Sequence, residues 1–239
     1  MSILDFALMA VVLAGLLVLG WWAGARRELG LKLGATLWAA IPLYHALEFA
    51  VLRATGGSHD PLRQPISDLA VTICGPETYP LSTDYICSPW HMQMNWGFVV
   101  LGGLLAAGAL SLRRVWPRRR SATVTTVALV VFGLSWAASG LFPADVAFTT
   151  HTLLSLPGMF APTVALLALW VALRGKRRGM ATWSLTAGIT AVVTLVLMTT
   201  AILWGIPPGG LAQRLLYAVP HVALTGIGLG LLLRGGRHA

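Results

Sequence analysis

"RRVWPRRRSATVTTVALVVFGLSWAASGLFPAD", residues 113–145, sets five arginines ahead of an apolar run and an acid behind it. A run of about 20 apolar residues, coiled as a helix, crosses a hydrocarbon core of roughly 30 Å. The arginines anchor one end of such a helix in a headgroup layer, and Asp145 marks the other end. The unit of this chain is therefore a transmembrane helix with chemically unlike ends.

The same unit recurs on both sides of the quoted stretch. Seven apolar runs are present, at about 3–23, 34–54, 91–112, 122–142, 152–173, 182–204 and 215–233. The chain has 239 residues, 56% of them hydrophobic and 10% charged, with a mean hydropathy of +0.76. A water-soluble domain of that size could not cover so much apolar surface, so lipid is the solvent for most of it. The first run lacks a basic leader and a clear cleavage site, and reads as a retained span rather than a signal peptide.

A net charge of +9 would fit a nucleic-acid binder, but its distribution does not. Of 17 basic residues, 14 fall on alternate connections: Arg26 to Lys32, Arg113 to Arg120, Arg174 to Arg178, and Arg234 with Arg237. Seven of eight acids (Asp5, Glu48, Asp60, Asp68, Glu77, Asp84 and Asp145) lie toward the opposite end. The positive-inside rule then predicts an N-terminus outside and a C-terminus in the cytoplasm. The expected partners are membrane lipids, the arginines meeting anionic headgroups, with no nucleic acid.

One connection is long. Residues 55–90 hold "RQPISDLAVTIC" (63–74), in which Ser67 or Asp68 would cap a short helix. Connections of this length usually carry function or fold back over something. Cys74 and Cys87 share this outward loop, where a disulfide persists, and closing a loop of about 14 residues stabilises by roughly 3 kcal/mol in the chain-entropy model.

Polar side chains gather toward the same end. His45 and Glu48 share a face of span two, His91 and Asn95 a face at the start of span three, and His221 lies in span seven. Asp145 follows span four and His151 opens span five, while His59 lies in the loop and only His238 is on the basic side. Ordinary roles exist for each: Asp145 could cap span five or pair with Arg214, and Glu48 could pair with Arg53.

Three chemistries could use such a set. Three imidazoles, His91, His151 and His221, with a carboxylate would suit a divalent metal such as zinc, although no close-spaced ligand motif is present. A histidine and an acid could act as general base and acid on a lipid headgroup, with Ser67 as a nucleophile outside any nucleophile elbow. A protonated carboxyl in a cavity lined by Trp38, Trp96 or Trp136 could start an isoprenoid cyclisation.

The motifs "ISDL", "MNWGFVVLGG" and "GLFPAD" with its following histidine resemble domain-of-unknown-function family 998, a set of bacterial and archaeal integral membrane proteins. The resemblance covers roughly residues 34–233 through Ser67, Asp68, Asn95, Gly97, Phe142, Pro143, Asp145 and His151. It implies a six-helix core to which span one is an addition, and it implies no activity. His45, Glu48, His91 and His221 match no part of the family pattern. A looser likeness is to membrane hydrolases of the alkaline ceramidase and adiponectin-receptor kind, whose paired histidines in the last helix are replaced here by Tyr217 or Thr225 around His221.

The expectation is an all-α, polytopic bundle of seven spans in a bacterial cytoplasmic membrane. It forms one domain, 1–239: an added span and basic loop (1–33), a family-like core (34–233), and a disulfide-tied outer loop (55–90). The expected function is an enzyme with an outer-face site acting on a lipid-like or isoprenoid substrate, by hydrolysis or acid-initiated cyclisation. Asp68, Asp145, His151, His91, Ser67 and Asn95 are its candidate catalytic residues. His45, Glu48, Trp96 and His221 are candidates for substrate contact. The rival expectation is a non-enzymatic ion- or lipid-binding, transport or assembly protein using the same polar face.

Overall fold

A computed structural model describes residues 2–80, 82–204 and 209–235. Eight α-helices appear among them: α1 (Ile3–Ala23), α2 (Arg27–Ala39), α3 (Pro42–Ala54), α4 (His91–Leu112), α5 (Arg120–Leu141), α6 (Phe148–Leu173), α7 (Arg178–Trp204) and α8 (Gly209–Gly235). With α2 and α3 taken as one broken span, seven helical segments are long and apolar enough to cross a membrane, and no strand occurs among the described residues. The chain is a multi-pass membrane protein, and the all-α, seven-span expectation holds. Arg237 and His238, counted on the basic side, lie outside the described residues, as do residues 205–208.

Several helices start earlier than the apolar runs. The second span begins at Arg27 and the sixth at Arg178, because a helix continues into the headgroup layer where arginine stems lie along apolar surface and their charges reach water. α4 is the centre of the bundle and α1 its outermost member, 78% and 11% of their most apolar windows being buried. The α4–α5 contact is close because glycines meet: a Cβ on Gly102 would lie 2.4 Å from the carbonyl oxygen of Gly133. Such small-residue crossings let backbones approach where no hydrophobic drive separates protein from lipid.

The break in the second span sets up the rest of the molecule. Pro42 has no N–H to offer the Trp38 carbonyl, which takes the Ile41 N–H instead at 3.3 Å. α2 packs along α8, whereas α3, redirected by the break, makes at most marginal backbone contact with it. A gap opens between α3 and α8 at the end of the bundle that carries the long connection, here the lid end.

The lid fills the top of that gap. Its centre is a short 3-10 helix, Ile66–Ala70, preceded by Pro65 without a side-chain cap. Ser67 and Asp68 therefore lie inside the turn and do not cap it. Cys74 and Cys87 are joined as a disulfide, flanked by a two-way backbone pairing of Gly75 with Ile86. The start of the lid clamps the start of α8: Gly210 N–H donates to Arg63 O, Leu211 N–H to Leu62 O, and Gln213 Oε1 accepts from Ile66 N–H at 2.7 Å.

Candidate functional site

The acids and amides singled out in the sequence hold the lid down. Asp145 Oδ2 accepts from the Thr72 amide at 2.9 Å and from the Thr72 hydroxyl. Asn95 Nδ2 donates to Ala70 O at 2.9 Å, Ser88 Oγ to Leu69 O at 2.6 Å, and Tyr79 Oη to Asp68 Oδ1 at 2.6 Å. Asp145 neither caps the following helix through a bond of its own nor pairs with Arg214: Oδ2 is taken by Thr72, and Oδ1 is buried without a partner. Burial raises the Asp68 carboxyl to about 6, the Tyr79 hydrogen bond working against that rise. The Tyr79 hydroxyl is itself pushed up, by burial first and then by Asp68.

Beneath the lid the polar groups take a different form. Arg214, on α8, spans the gap: Nε donates to Glu48 Oε1 at 3.1 Å, Nη1 to Pro61 O at 2.7 Å and Gln64 O at 2.9 Å, and Nη2 to His59 Nε2 at 3.1 Å. A guanidinium only donates, so His59 accepts there and carries its proton on Nδ1. Burial and the adjacent Arg214 lower His59 to about 4. Glu48 thus pairs with Arg214 rather than with Arg53.

Glu48 also reaches the histidines. Its Oε2 lies 3.6 Å from His45 Nδ1, longer than a hydrogen bond, and His45 Nε2 lies 3.2 Å from His221 Nδ1. With the carboxylate favouring a proton on His45 Nδ1, His45 Nε2 accepts from His221 Nδ1–H. The lone pair is left on His221 Nε2, a buried atom with no partner.

These groups line a cavity of about 170 Å³ bounded by Tyr44, His45, Glu48, Trp136, Arg214, Tyr217 and His221. Three residues of its wall carry buried polar atoms without a hydrogen-bond partner: Tyr44 Oη, Trp136 Nε1 and His221 Nε2. Unpaired buried polar atoms are costly and rare in folded proteins, and each calls for an explanation, a catalytic role or an unfilled ligand contact among them. The rings pack edge to face, Trp136 with Tyr217 at 4.9 Å and Tyr44 with Trp136 at 5.2 Å between centroids. His45 keeps 39% of its side chain exposed, so the α3 wall of the chamber reaches the surface of the bundle.

A second cavity, of about 90 Å³, adjoins the first across the shared residues Ile66, Trp136 and Tyr217. Ser67 and His151 meet here, with Ser135, Ser139, Ser155 and Gln213. His151 Nδ1–H donates to Phe142 O at 2.8 Å, leaving Nε2 as the acceptor of its neutral ring. Pro162 denies a helix hydrogen bond to the carbonyl of Gly158, another residue of this wall.

The expected site is therefore divided. His45, Glu48 and His221 come together, Ser67 and His151 meet in the adjoining cavity, and Asp68, Asp145 and Asn95 are occupied with the lid. His91 turns aside, its Nδ1–H donating to Ser88 O at 3.0 Å. Trp96 lines neither cavity but an apolar groove with Leu43, Leu47 and Leu104 on the other side of Tyr44, and Trp38 is core, its Nε1–H donating to Leu105 O. The proposed metal set does not fit: His91, His151 and His221 have separate partners, and no group of three or more His, Cys, Asp or Glu able to hold a metal occurs among the described residues.

Sequence reasoning missed Tyr44, His59, Gln213, Arg214 and Tyr217 as site residues. The available signal was periodicity: Arg214, Tyr217 and His221 recur at helical spacing on α8, as do Tyr44, His45 and Glu48 on α3.

No curated protein and no solved structure matches the chain. One family model does, over residues 38–230, most of the chain and all but α1 and the bulk of α2 from the helical bundle described above. The chain belongs to the family of proteins of unknown function designated DUF998.

Proposed function

We propose that this protein is a membrane-embedded enzyme acting on a lipid, with His221 as general base in a chamber entered sideways from the bilayer. The observation that carries the reading is the run Glu48–His45–His221, ending on an unpartnered imidazole nitrogen in an aromatic-walled cavity. A carboxylate that orients an imidazole, which in turn orients the reacting imidazole, is how a base is held in one tautomer. By the positive-inside rule the chamber belongs to the outer leaflet of a bacterial cytoplasmic membrane.

Hydrolysis suits these groups best. His221 Nε2 takes a proton from water as the water oxygen attacks a lipid ester or phosphoester. The same proton passes to the departing oxygen as its bond to the acyl or phosphoryl group breaks, so one water is consumed and one acid and one alcohol are formed. The Trp136 N–H and Tyr44 O–H are the donors nearest to hand for the oxyanion that forms. Arg214 holds Glu48 and the lid in place and is a positioning residue.

Transport is less well supported. Hydroxyls deeper in the bundle already have carbonyl acceptors, Thr125 in Ser121 O and, across to α6, Ala165 O, Thr126 in Ala122 O and Ser184 in Met180 O. They supply no obvious ladder of free polar groups toward the arginine end. The other reading, a lipid or small-molecule binder without turnover, draws on the small size of the two cavities.

Purified protein in lipid nanodiscs, incubated with a bacterial polar lipid extract and followed by mass spectrometry, tests the proposal. Release of an acid and an alcohol from one lipid class is expected, falling about 10²- to 10⁴-fold in His221→Asn. Glu48→Gln is expected to lose less and to shift the pH profile. Saturable lipid binding with no product establishes the binder instead, and turnover untouched by His221→Asn removes the base assignment.

A further inference from the structure

At the opposite end of the bundle the surface changes character. α1 and α5 meet at the lid end, where the Phe6 and Phe142 rings lie 5.7 Å apart. Toward the arginine end they form two walls of a groove of about 1110 Å³, floored by the end of α4. Its rim carries Arg27, Arg113, Arg114, Arg118, Arg119 and Arg120, and its depth runs along Val127, Val130 and Val131 of α5.

The arginines fall into two groups. Arg113 Nη1 donates to Leu110 O at 2.8 Å with its guanidinium 4.2 Å from the Trp21 ring, and Arg114 Nη1 donates to Ala25 O at 2.7 Å. These two build the groove. Arg118, Arg119 and Arg120 are exposed, and the three ion pairs among the described residues involve none of them. Trp116, 4% exposed beneath the same rim, stacks on Trp38 and has a buried Nε1–H without an acceptor.

We propose that this groove binds the phosphate headgroup of an anionic phospholipid, with an acyl chain lying along Val127, Val130 and Val131. A phosphate diester supplies what the site lacks: negative charge for three unpaired guanidiniums and an acceptor for a buried indole N–H. A free anion would meet the charge but leave the valine trough uncovered, whereas a lipid covers both. The positive-inside rule places this end at the cytoplasmic leaflet, where anionic headgroups give basic clusters a further electrostatic gain. The site is separate from the lid-end chamber, and its assignment stands or falls independently.

Thermal unfolding of the full chain in a neutral detergent tests it. Phosphatidylglycerol at about a hundredfold excess over Kd is expected to raise Tm by about 5–10 °C. Phosphatidylcholine with the same chains, and inorganic phosphate, are expected to raise it by less than a third of that. R118Q/R119Q/R120Q should lose most of the shift, while R174Q/K176Q/R178Q, which removes equal charge from the other arginine-rich connection, should keep it. W116F, which keeps the ring packing and drops the N–H, should weaken phosphatidylglycerol about fivefold.

An equal response to phosphatidylcholine or to phosphate overturns the proposal, the latter in favour of a free-anion site. Equal losses in the two triple variants would show diffuse attraction in place of a groove. An unchanged affinity in W116F would take the headgroup away from Trp116 and remove the site as drawn.

Discussion

The underside of the lid and the chamber it covers lie within a few residues of each other, yet they use polar side chains differently. Under the lid, Asp145, Asn95, Ser88 and Tyr79 each spend a side-chain atom on a named lid partner. In the chamber, Tyr44 Oη, Trp136 Nε1 and His221 Nε2 have none, whereas under the lid the unpaired atoms are the second oxygens of Asp145 and Asn95, whose other atoms are bonded, and the Thr78 hydroxyl. The lid bonds satisfy backbone that would otherwise be orphaned over a membrane protein, which is a structural debt. The chamber atoms are left for something else. An acid in an apolar chain thus marks a fastening here, and the unpartnered aromatic and imidazole atoms lie one layer deeper.

The bridge between the two layers is Arg214, so removing it should blur the distinction most. Arg214→Ala would leave Glu48, its side chain 13% exposed, without its counter-charge and free the carbonyls of Pro61 and Gln64. The expected loss is about 3–5 kcal/mol of stability. Loss of the chamber should accompany it, read as faster exchange of amides in residues 59–72 as well as a lower Tm. Arg214→Lys cannot reproduce the fork and should recover only part.

Removing the disulfide should separate the layers instead. Ser at both Cys74 and Cys87 releases a loop closed over a sequence separation of 13, at a cost of about 3 kcal/mol in the chain-entropy model. The far half of the lid should loosen, seen as exchange at Gly75 and Ile86, while the Arg214–Glu48 bridge and the His45–His221 contact stay in place. If the chamber residues respond as strongly as the lid, the two regions are one cooperative unit and the comparison fails.

Asp145→Ala tests the fastening itself. It strips Thr72 of the acceptor for both its amide and its hydroxyl, and a hydrogen bond to a charged group is worth about 1.5–3 kcal/mol. Stability should fall by about that amount with turnover per folded molecule unchanged. A large specific loss of turnover at full stability would return Asp145 to the catalytic set.

These outcomes also explain which parts of the molecule were legible in the sequence. Span count follows from local apolar length, which no tertiary contact alters, and it emerged correctly. The disulfide followed from two cysteines in one loop. The site was harder because membership depends on direction. Pro42 interrupts a span that hydropathy reads as continuous, and the redirection of α3 is what carries His45 and Glu48 to Arg214 and His221 across a gap. No local pattern encodes that turn. Asp68 and Asp145 drew attention because ionisable groups are expensive in a membrane. Both sit at its edge, where the lid supplies their partners.

The smallest effect sharpens the comparison through pH, because Asp68 and His59, both in the connection outside the spans, are shifted in opposite senses. Asp68, raised to about 6 by burial, binds a proton more readily folded than unfolded, so its contribution grows as pH falls through 6 toward 4. His59, lowered to about 4 by burial and Arg214, is held neutral in the fold, so its contribution is lost as pH falls below 6.5. The two oppose each other between pH 7 and 5, and the histidine prevails because its window opens first. The wild type should therefore lose stability on acidification. In His59→Gln, where an amide oxygen can still accept from Arg214, the opposing histidine contribution from the lid is gone and that of the carboxyl remains. The lid should then tighten by roughly 1 kcal/mol from pH 7 to 5. Exchange at the Ile66 amide, bonded to Gln213, and the Thr72 amide, bonded to Asp145, reports it directly. Adding Asp68→Asn, which keeps an acceptor for Tyr79 but cannot ionise, should flatten the profile. A His59→Gln lid that loosens in acid would mean that the Asp68 carboxyl is paid for by a charge partner and belongs with the chamber rather than with the fastening.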